Sequence, residues 1–455
     1  MMKYSNSLSE RLHKVIPGGA HTYSRGDDQF PLNAPAILER GEGCYAFDPT
    51  GNKFLDYGMG LRSVNIGYGN KEVADAIYKE ALKGNNLTRA SVTELEAAEL
   101  FVSTIPAVDM VKFAKHGSTV TTAAMKLARA YTGRKYIAIP KEHPFFSFDD
   151  WFIGTTVIQK GSLTETSDFT LLFNYNNIES LQILFEKYPN QIAGVMLEPA
   201  TTTGPCDHSC SKTNKLNCAN CPNNKSHFLH KVKALCKSND ALFILDEMIT
   251  GFRWHFNGAQ TYFDLEPDLT TFGKAMANGF AVAALGGKKE IMELGSIKNE
   301  GAERVFLTST THGAEMSALA AYIKTSEILI RDKVIDHFWQ YGQHLIDGFN
   351  DLAKSKGIGD FLYMEGYPCS PNYIVKDSDK VISMAYRTLF AEQMLESNVL
   401  MPYIAISASH SNIELDITLD AADKAMNIIV RALNDKSVAS YLKSPIIKPV
   451  FRKFN

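Results

Sequence analysis

The period of the apolar residues changes several times along the chain, and each change predicts an element. Over residues 1–14 the apolar positions fall on one side of an otherwise polar helix. Ile16-Pro17-Gly18-Gly19 interrupts it as a loop, and residues 43–48 followed by Thr50-Gly51-Asn52 read as a hairpin closed by a tight turn. From about residue 71, helix-period stretches at 72–83 and 93–104 alternate with short β-rich runs at 110–114 and 135–139. Residues 192–197 and 241–245 continue the alternation, each reached through a helical segment, which predicts βαβ units, a parallel sheet and the α/β class. Long helices follow at 314–331 and 334–356, then a mixed carboxy-terminal part whose last helix, 419–434, is expected to pack on a short sheet.

Length and composition sharpen this picture a little. A chain of 455 residues favours two or three structural units around a large core. The expected division is an amino-terminal segment 1–75 that joins a small domain, a large domain 76–325, and residues 326–455 completing the small domain. Apolar residues at 45% and charged residues at 21% are ordinary, and a net charge of -3 offers no general attraction to nucleic acid or acidic membranes. The expected partner is therefore a small molecule. Residues 1–14 lack the apolar core of a signal peptide, and the most apolar run, 281–287, is short and punctuated by glycine. Neither export nor membrane insertion is predicted, and the expected location is cytoplasmic.

Three segments carry candidate chemistry. Residues 241–245 have the composition of a buried parallel strand and end in Asp246-Glu247, and the ends of such strands are where α/β sheets place ligands. A second β-like run, 268–272, leads through Gly273 to Lys274, which sits among small and apolar residues; loss of solvent there lowers an amine's pKa and frees it to attack an aldehyde. A third, 111–114, is followed by Gly117-Ser118-Thr119 and a helical run, so that backbone N–H groups and two hydroxyls suit a phosphate. Taken singly each has a plainer reading: an acid at a turn, a surface lysine, an ordinary helix cap.

Together and in this order the three resemble the class III (subgroup II) aminotransferases of pyridoxal 5′-phosphate (PLP) fold type I, most closely the glutamate-1-semialdehyde aminomutase-like members. The likeness spans nearly the whole chain and includes Ile16-Pro17-Gly18-Gly19, Leu55-Asp56-Tyr57, residues 127–134, Leu197-Glu198-Pro199, residues 246–253 and Phe272-Gly273-Lys274. It implies a large PLP-binding domain with a mainly parallel central sheet, and a smaller α+β domain drawn from both termini. It makes Lys274 the Schiff-base lysine and general acid/base, Asp246 the partner of the ring nitrogen, and Met248 the side chain against one ring face. Gly117, Ser118 and Thr119 would hold the phosphate. Thr310 matches a threonine that reaches the phosphate of a neighbouring subunit, which implies a homodimer with shared active sites. The implied reaction moves an amino group from an amino-acid donor such as glutamate to a carbonyl acceptor.

The chain departs from these relatives around the substrate. In place of a Tyr-His-Gly-type motif it has Glu142-His143-Pro144-Phe145-Phe146; Phe145 is expected to stack on the ring, with Phe146 as the alternative and core packing equally open. An Asn-Ser-Pro-Val-Arg-like segment becomes His21-Thr22-Tyr23-Ser24-Arg25, and a Trp-Gly-Pro stretch becomes Leu61-Arg62-Ser63. Arg25, Arg62 and Glu198 are the expected substrate contacts, a guanidinium suiting carboxylate or phosphate. Residues 401–407 lack the family's glutamate. These changes point to another carbonyl substrate, a sugar or nucleotide sugar. Glutamate-1-semialdehyde 2,1-aminomutase activity, and a noncatalytic binding or regulatory role on the same fold, stand as alternatives.

One segment, 201–225, reads as an insertion between Glu198-Pro199 and the helix before Asp246. Its Cys206, Cys210, Cys218 and Cys221, with His208 nearby, suit a structural zinc ion, with an iron–sulfur cluster second and disulfides or simple thiols remaining. Cys44, Cys236 and Cys369 are scattered.

Overall fold

The sheet expected from the alternating pattern forms, with more strands than the alternation reveals. The computed structural model describes residues 2–200, 203–206, 228–298 and 300–454. Seven strands make up the sheet: β1 (Met110–Ala114), β2 (Tyr136–Pro140), β3 (Thr170–Phe173), β4 (Ile192–Leu197), β5 (Leu242–Asp246), β6 (Leu269–Phe272) and β7 (Ala283–Gly287). Their spatial order is β1-β7-β6-β5-β4-β2-β3. Every pairing from β6 through β5, β4 and β2 to β3 is parallel, and β7 runs antiparallel to both β1 and β6. In β4, β5 and β6 every residue is buried, which is why their sequences are continuous apolar or hydroxyl-bearing runs without alternation.

β7 is built from small residues because its neighbours leave no room for larger ones. A Cβ on Gly286 would stand 2.6 Å from Val108 Cγ2, and one on Gly287 2.5 Å from Leu269 Cδ2. The crossover between β1 and β2 is a helix, α1 (Gly117–Thr132), whose buried face is mostly small: Ala123, Ala124 and Ala128 with Val120 and Leu127. It seats closely on the sheet, since a Cβ on Gly194 of β4 would meet Ala128 Cβ at 3.5 Å and the Leu242 carbonyl oxygen at 3.0 Å. A second helix, α2 (Met316–Arg331), packs on the helices Lys71–Ala81 and Val92–Thr104.

These elements belong to a unit of Lys71–Ile335 with Lys453–Asn455, and the remaining chain, Met1–Asn70 with Asp336–Arg452, forms another. The second unit is α+β. Its hairpin pairs Tyr45–Phe47 with Lys53–Asp56, and the Asp48 side chain holds the turn by accepting from the backbone N–H groups of Thr50 and Asn52, each at 2.9 Å. Val399–Leu400 adds to the same sheet in parallel, Val399 opposite Leu55, so the amino- and carboxy-terminal parts share one ladder. The last helix, Asn412–Asn434, starts earlier than the apolar pattern indicates because Ser411 and Glu414 form a capping box. It packs on the helix Met384–Glu396 and also meets the short sheet, where Glu414 accepts from the Tyr45 hydroxyl at 2.8 Å. Among the described residues no helix is long and apolar enough to cross a membrane.

The tight contact of α1 with β4 gives a direct stability test. Gly194→Val would force its methyl groups against Leu242 and Ala128, and should lower unfolding stability by about 1–3 kcal/mol in urea melts.

Candidate active site

Asp246 is the last residue of β5, and the strand carries it into the protein, where it is 2% exposed. Its Oδ1 accepts from the Met248 N–H and from the Thr271 hydroxyl, both at 2.9 Å. The second bond exists because β6 pairs with β5 in a register that puts Thr271 opposite Asp246. Burial pushes the pKa of Asp246 up to about 6, while those two hydrogen bonds and the charge of Lys274 pull it back. An acid poised in this way exchanges charge with a nitrogen base placed against it more readily than a solvated one. Glu247 turns the other way, into backbone N–H groups of Ala259 (2.6 Å) and Gln260 (2.8 Å), and burial pushes it up to about 7.

The other two chemical segments meet Asp246 through Met248. A Cβ on Gly117, at the start of α1, would stand 2.9 Å from Met248 Cε, and a Cβ on Gly273 would collide with Met248 Sδ. The glycines before the phosphate-type loop and before the lysine therefore both close on one methionine side chain. Lys274 follows Gly273 with φ +37, a backbone region that side-chain-bearing residues rarely adopt, and it opens the short turn Lys274–Ala277. In the loop, Ser118 is buried and its Oγ accepts the Phe148 N–H at 3.1 Å. Gly117 and Ser118 lie in the first helical turn, where N–H groups have no acceptor within the helix. Thr119 N–H is engaged by the His116 carbonyl at 3.1 Å.

The segment that replaces the Tyr-His-Gly-type motif divides its aromatic residues. Phe146 is 2% exposed and packs edge-on to Phe152, with its carbonyl accepting from Thr121, whereas Phe145 keeps 46% of its surface exposed. Phe146 is thus a core residue. Sequence reasoning assigned nothing to His143, yet it lies with Glu198 at the same carboxyl edge of the sheet. The Glu198 N–H donates to His143 Nδ1 at 3.2 Å, which leaves the imidazole proton on Nε2. Burial pushes the pKa of His143 down to about 3, so it stays neutral. Glu198 follows the last residue of β4, which pairs with Leu245, and so lies beside Asp246 along the strand ends. Thr310 is exposed, its hydroxyl close to Gly313.

In the other unit, Arg62 is placed by an unusual turn. Met59, Gly60, Leu61 and Arg62 have φ of 40, 59, 63 and 66, and the bonds Arg62 N–H to Gly58 O (3.0 Å) and Ser63 N–H to Met59 O (3.1 Å) make this one left-handed helical turn. Each side-chain-bearing residue in that conformation costs roughly 1–2 kcal/mol. The turn delivers the Arg62 guanidinium to Ser370 Oγ at 2.8 Å and to 5.1 Å from the Tyr403 ring centroid. Tyr403 also feels the charge of Arg25, and burial raises its pKa despite both arginines. Tyr403 and Ser24 line a cavity of about 240 Å3 in this unit, with Phe30, Tyr373, Met384 and Arg387 among its walls.

The insertion is described only at its start, where Asn176 fixes it: Nδ2 donates to Gly204 O and Oδ1 accepts from Cys206 N–H, both at 2.9 Å. Cys206 is buried, and Cys210, Cys218, Cys221 and His208 lie outside the described residues. Among the described residues no group of three or more His, Cys, Asp or Glu is placed to hold a metal, so the expectation of zinc finds no support.

The constellation fits PLP. Asp246 offers a buried acceptor, the glycines at 117 and 273 admit the Met248 side chain that two Cβ atoms would displace, and the start of α1 offers donors for a phosphate. The profile of the family described as aminotransferase class-III matches residues 23–366. A glutamate-1-semialdehyde 2,1-aminomutase of Francisella philomiragia is 32% identical over 372 residues, covering 80% of this chain and 80% of that protein. A 3-aminobutyryl-CoA aminotransferase of Cloacimonas acidaminovorans is 29% identical, covering 94% and 98%. Among solved structures, the FumI protein of a Sphingopyxis species, solved with PLP, superposes with a TM-score of 0.82 at 24% identity over 98% of this chain and 99% of that one.

Two pH-dependent outcomes follow from the buried groups. A carboxyl whose pKa rises on folding contributes most below its usual 3.8 and loses that contribution as pH rises through about 6. In cofactor-free protein, Asp246→Asn should therefore be more stable than wild type at pH 8, by roughly 3 kcal/mol, and nearly equal at pH 4, as read by urea melts. His143 works in the opposite sense: its contribution is present above the usual 6.5 and is lost as pH falls towards about 3. Replacing it with Gln should flatten the acid limb of the melting-temperature profile.

Proposed function

The chain belongs to the class-III aminotransferase family of PLP-dependent enzymes, and on that footing we propose that it moves an amino group from glutamate to a carbonyl substrate that is a sugar or nucleotide sugar. The observation that carries the assignment of residues is the buried Asp246, gripped by Thr271 and adjoined by a methionine on which Gly117 and Gly273 both close. When bound, PLP supplies an aldehyde for the donor's amine and a ring that withdraws electrons from the reacting carbon.

The chain's residues divide the rest of the work. Asp246 would hold the proton on the cofactor's ring nitrogen; Gly117, Ser118 and Thr119 would take its phosphate, Met248 would cover one ring face and Phe145 the other. Lys274 Nζ would hold the aldehyde, and as a free amine it would take the proton from the donor's α-carbon and return one to the acceptor's carbon. Glu198 and His143, side by side at the strand ends, line the substrate side. Thr310, exposed on this chain, would reach the phosphate of a second copy, and the working form would then be a homodimer with shared sites.

A second reading, glutamate-1-semialdehyde 2,1-aminomutase, is supported by the name of the Francisella relative. The two readings differ in exchange with free partners. Wild-type holoenzyme should lose its bound-cofactor absorbance on adding L-glutamate and regain it on adding a keto-sugar, and Lys274→Ala should reduce turnover by about 10⁴-fold or more. Rapid conversion of glutamate-1-semialdehyde to 5-aminolevulinate without such exchange would replace the transaminase reading with the mutase.

A further inference from the structure

The cavity beside Tyr403 lies wholly within one unit. Every residue that lines it belongs to Met1–Asn70 or Asp336–Arg452, and none of those assigned to the cofactor is among them. One wall is a stripe of the helix Met384–Glu396, where Met384, Arg387, Ala391 and Leu395 recur at the spacing of successive turns and so share a face. The carboxy-terminal segment closes another side, tied down where the Ile447 N–H donates to Thr388 Oγ1 and the Lys448 N–H to Asp28 O, both at 3.0 Å. A space of about 240 Å3 is far larger than the voids a packed interior leaves, and walls of Phe30, Leu400, Ile447 and the helix stripe offer water few partners.

Arg387 is the exception on that stripe. Its Nη1 donates to Tyr373 O at 3.1 Å, its Nη2 donates to Pro402 O at 2.9 Å, and the guanidinium lies 4.1 Å from the Tyr373 ring centroid. These contacts fix the plane of the fork, use only part of its donors and bring no negative charge. Among the described residues no carboxylate pairs with Arg387. Acids near the walls in sequence are engaged elsewhere: Asp28 pairs with Arg452, and Glu392 accepts from the Ser444 hydroxyl at 2.5 Å and the Lys443 N–H at 3.2 Å. Lys448, which is exposed, adds a second cation to the lining. A held guanidinium without a counter-charge, on the wall of an apolar space, suits an anion that carries an apolar body.

We propose that this cavity binds a small monocarboxylate with a compact apolar body, its carboxylate on Arg387 and its hydrocarbon against Ala391 and Leu395. A cavity of roughly 150 Å3 takes a benzene ring, so one of about 240 Å3 takes a ring with a carboxylate-bearing arm. A phosphoryl group fits less well, since one fork meets two oxygens and the hydrocarbon walls leave the others without donors. Neither the amino donor nor the acceptor of the reaction enters this assignment.

The probe is phenylacetate, titrated against full-length holoenzyme at fixed ionic strength and read by saturation-transfer NMR. Wild type should bind it at millimolar concentration, and should bind 2-phenylethanol, which keeps the ring and lacks the charge, about tenfold or more weakly. Arg387→Gln should weaken phenylacetate binding about tenfold or more. Ala391→Leu should do the same, because it keeps the cation and fills the space with a residue that helices favour. Arg431→Gln, which removes an exposed charge from the last helix, should bind like wild type. Arg387 also holds two main-chain carbonyls, so if its variant loses the fold Ala391→Leu decides alone, with those bonds left in place. Equal phenylacetate binding in wild type and in either folded variant would place the ligand elsewhere on the protein and overturn the inference. So would no binding to wild type, or phenyl phosphate binding as tightly as phenylacetate and weakened as much by Ala391→Leu.

Discussion

A carboxylate buried at the end of a central β-strand is expensive to keep, and the arrangement around Asp246 is shaped by that expense. Moving the group out of water favours its neutral form, and the protein answers with a threonine hydroxyl from the next strand, an N–H from the following turn and the nearby charge of Lys274. Each of these partners requires something of the fold. Thr271 needs the exact pairing of β5 with β6, the turn at Met248 needs the glycines that flank it, and Lys274 needs a backbone conformation that most residues avoid. The apolar runs on either side supply the burial that makes the carboxylate responsive to a charged neighbour in the first place.

Much of this is legible in the sequence alone. β1, β2, β4 and β5 announce themselves as apolar runs between helical segments and β6 as a β-like run, and Asp246, Lys274 and Gly117-Ser118-Thr119 stand at or just past the ends of β5, β6 and β1. The remainder depends on neighbours distant in sequence. β7 is glycine- and alanine-rich because Val108 and Leu269 crowd it, and nothing within residues 283–287 says so. Thr271 looks like any strand threonine until register sets it opposite Asp246. His143 lies in a segment dominated by phenylalanines, and its hydrogen bond comes from the Glu198 N–H at the end of a different strand.

The turn carrying Arg62 was illegible for another reason. Left-handed conformation is signalled by glycine or asparagine, and a sequence reading Met-Gly-Leu-Arg offers one such residue where four adopt it. The stabilising contacts lie with Ser370 and Tyr403, hundreds of residues downstream. Local preference and tertiary packing disagree at that point, and packing prevails.

The ladder that sets Val399 against Leu55 also has a bearing on how the molecule comes into being. A ribosome making this chain delivers the strand Lys53–Asp56 long before its parallel neighbour exists, while the sheet from β1 to β7 is complete in the interval. The intervening unit can fold during synthesis, but the opening segment must wait with an unpaired edge until the chain is almost finished. Truncation between β7 and residue 399 would therefore leave a well-formed sheet tethered to a sticky, half-built partner.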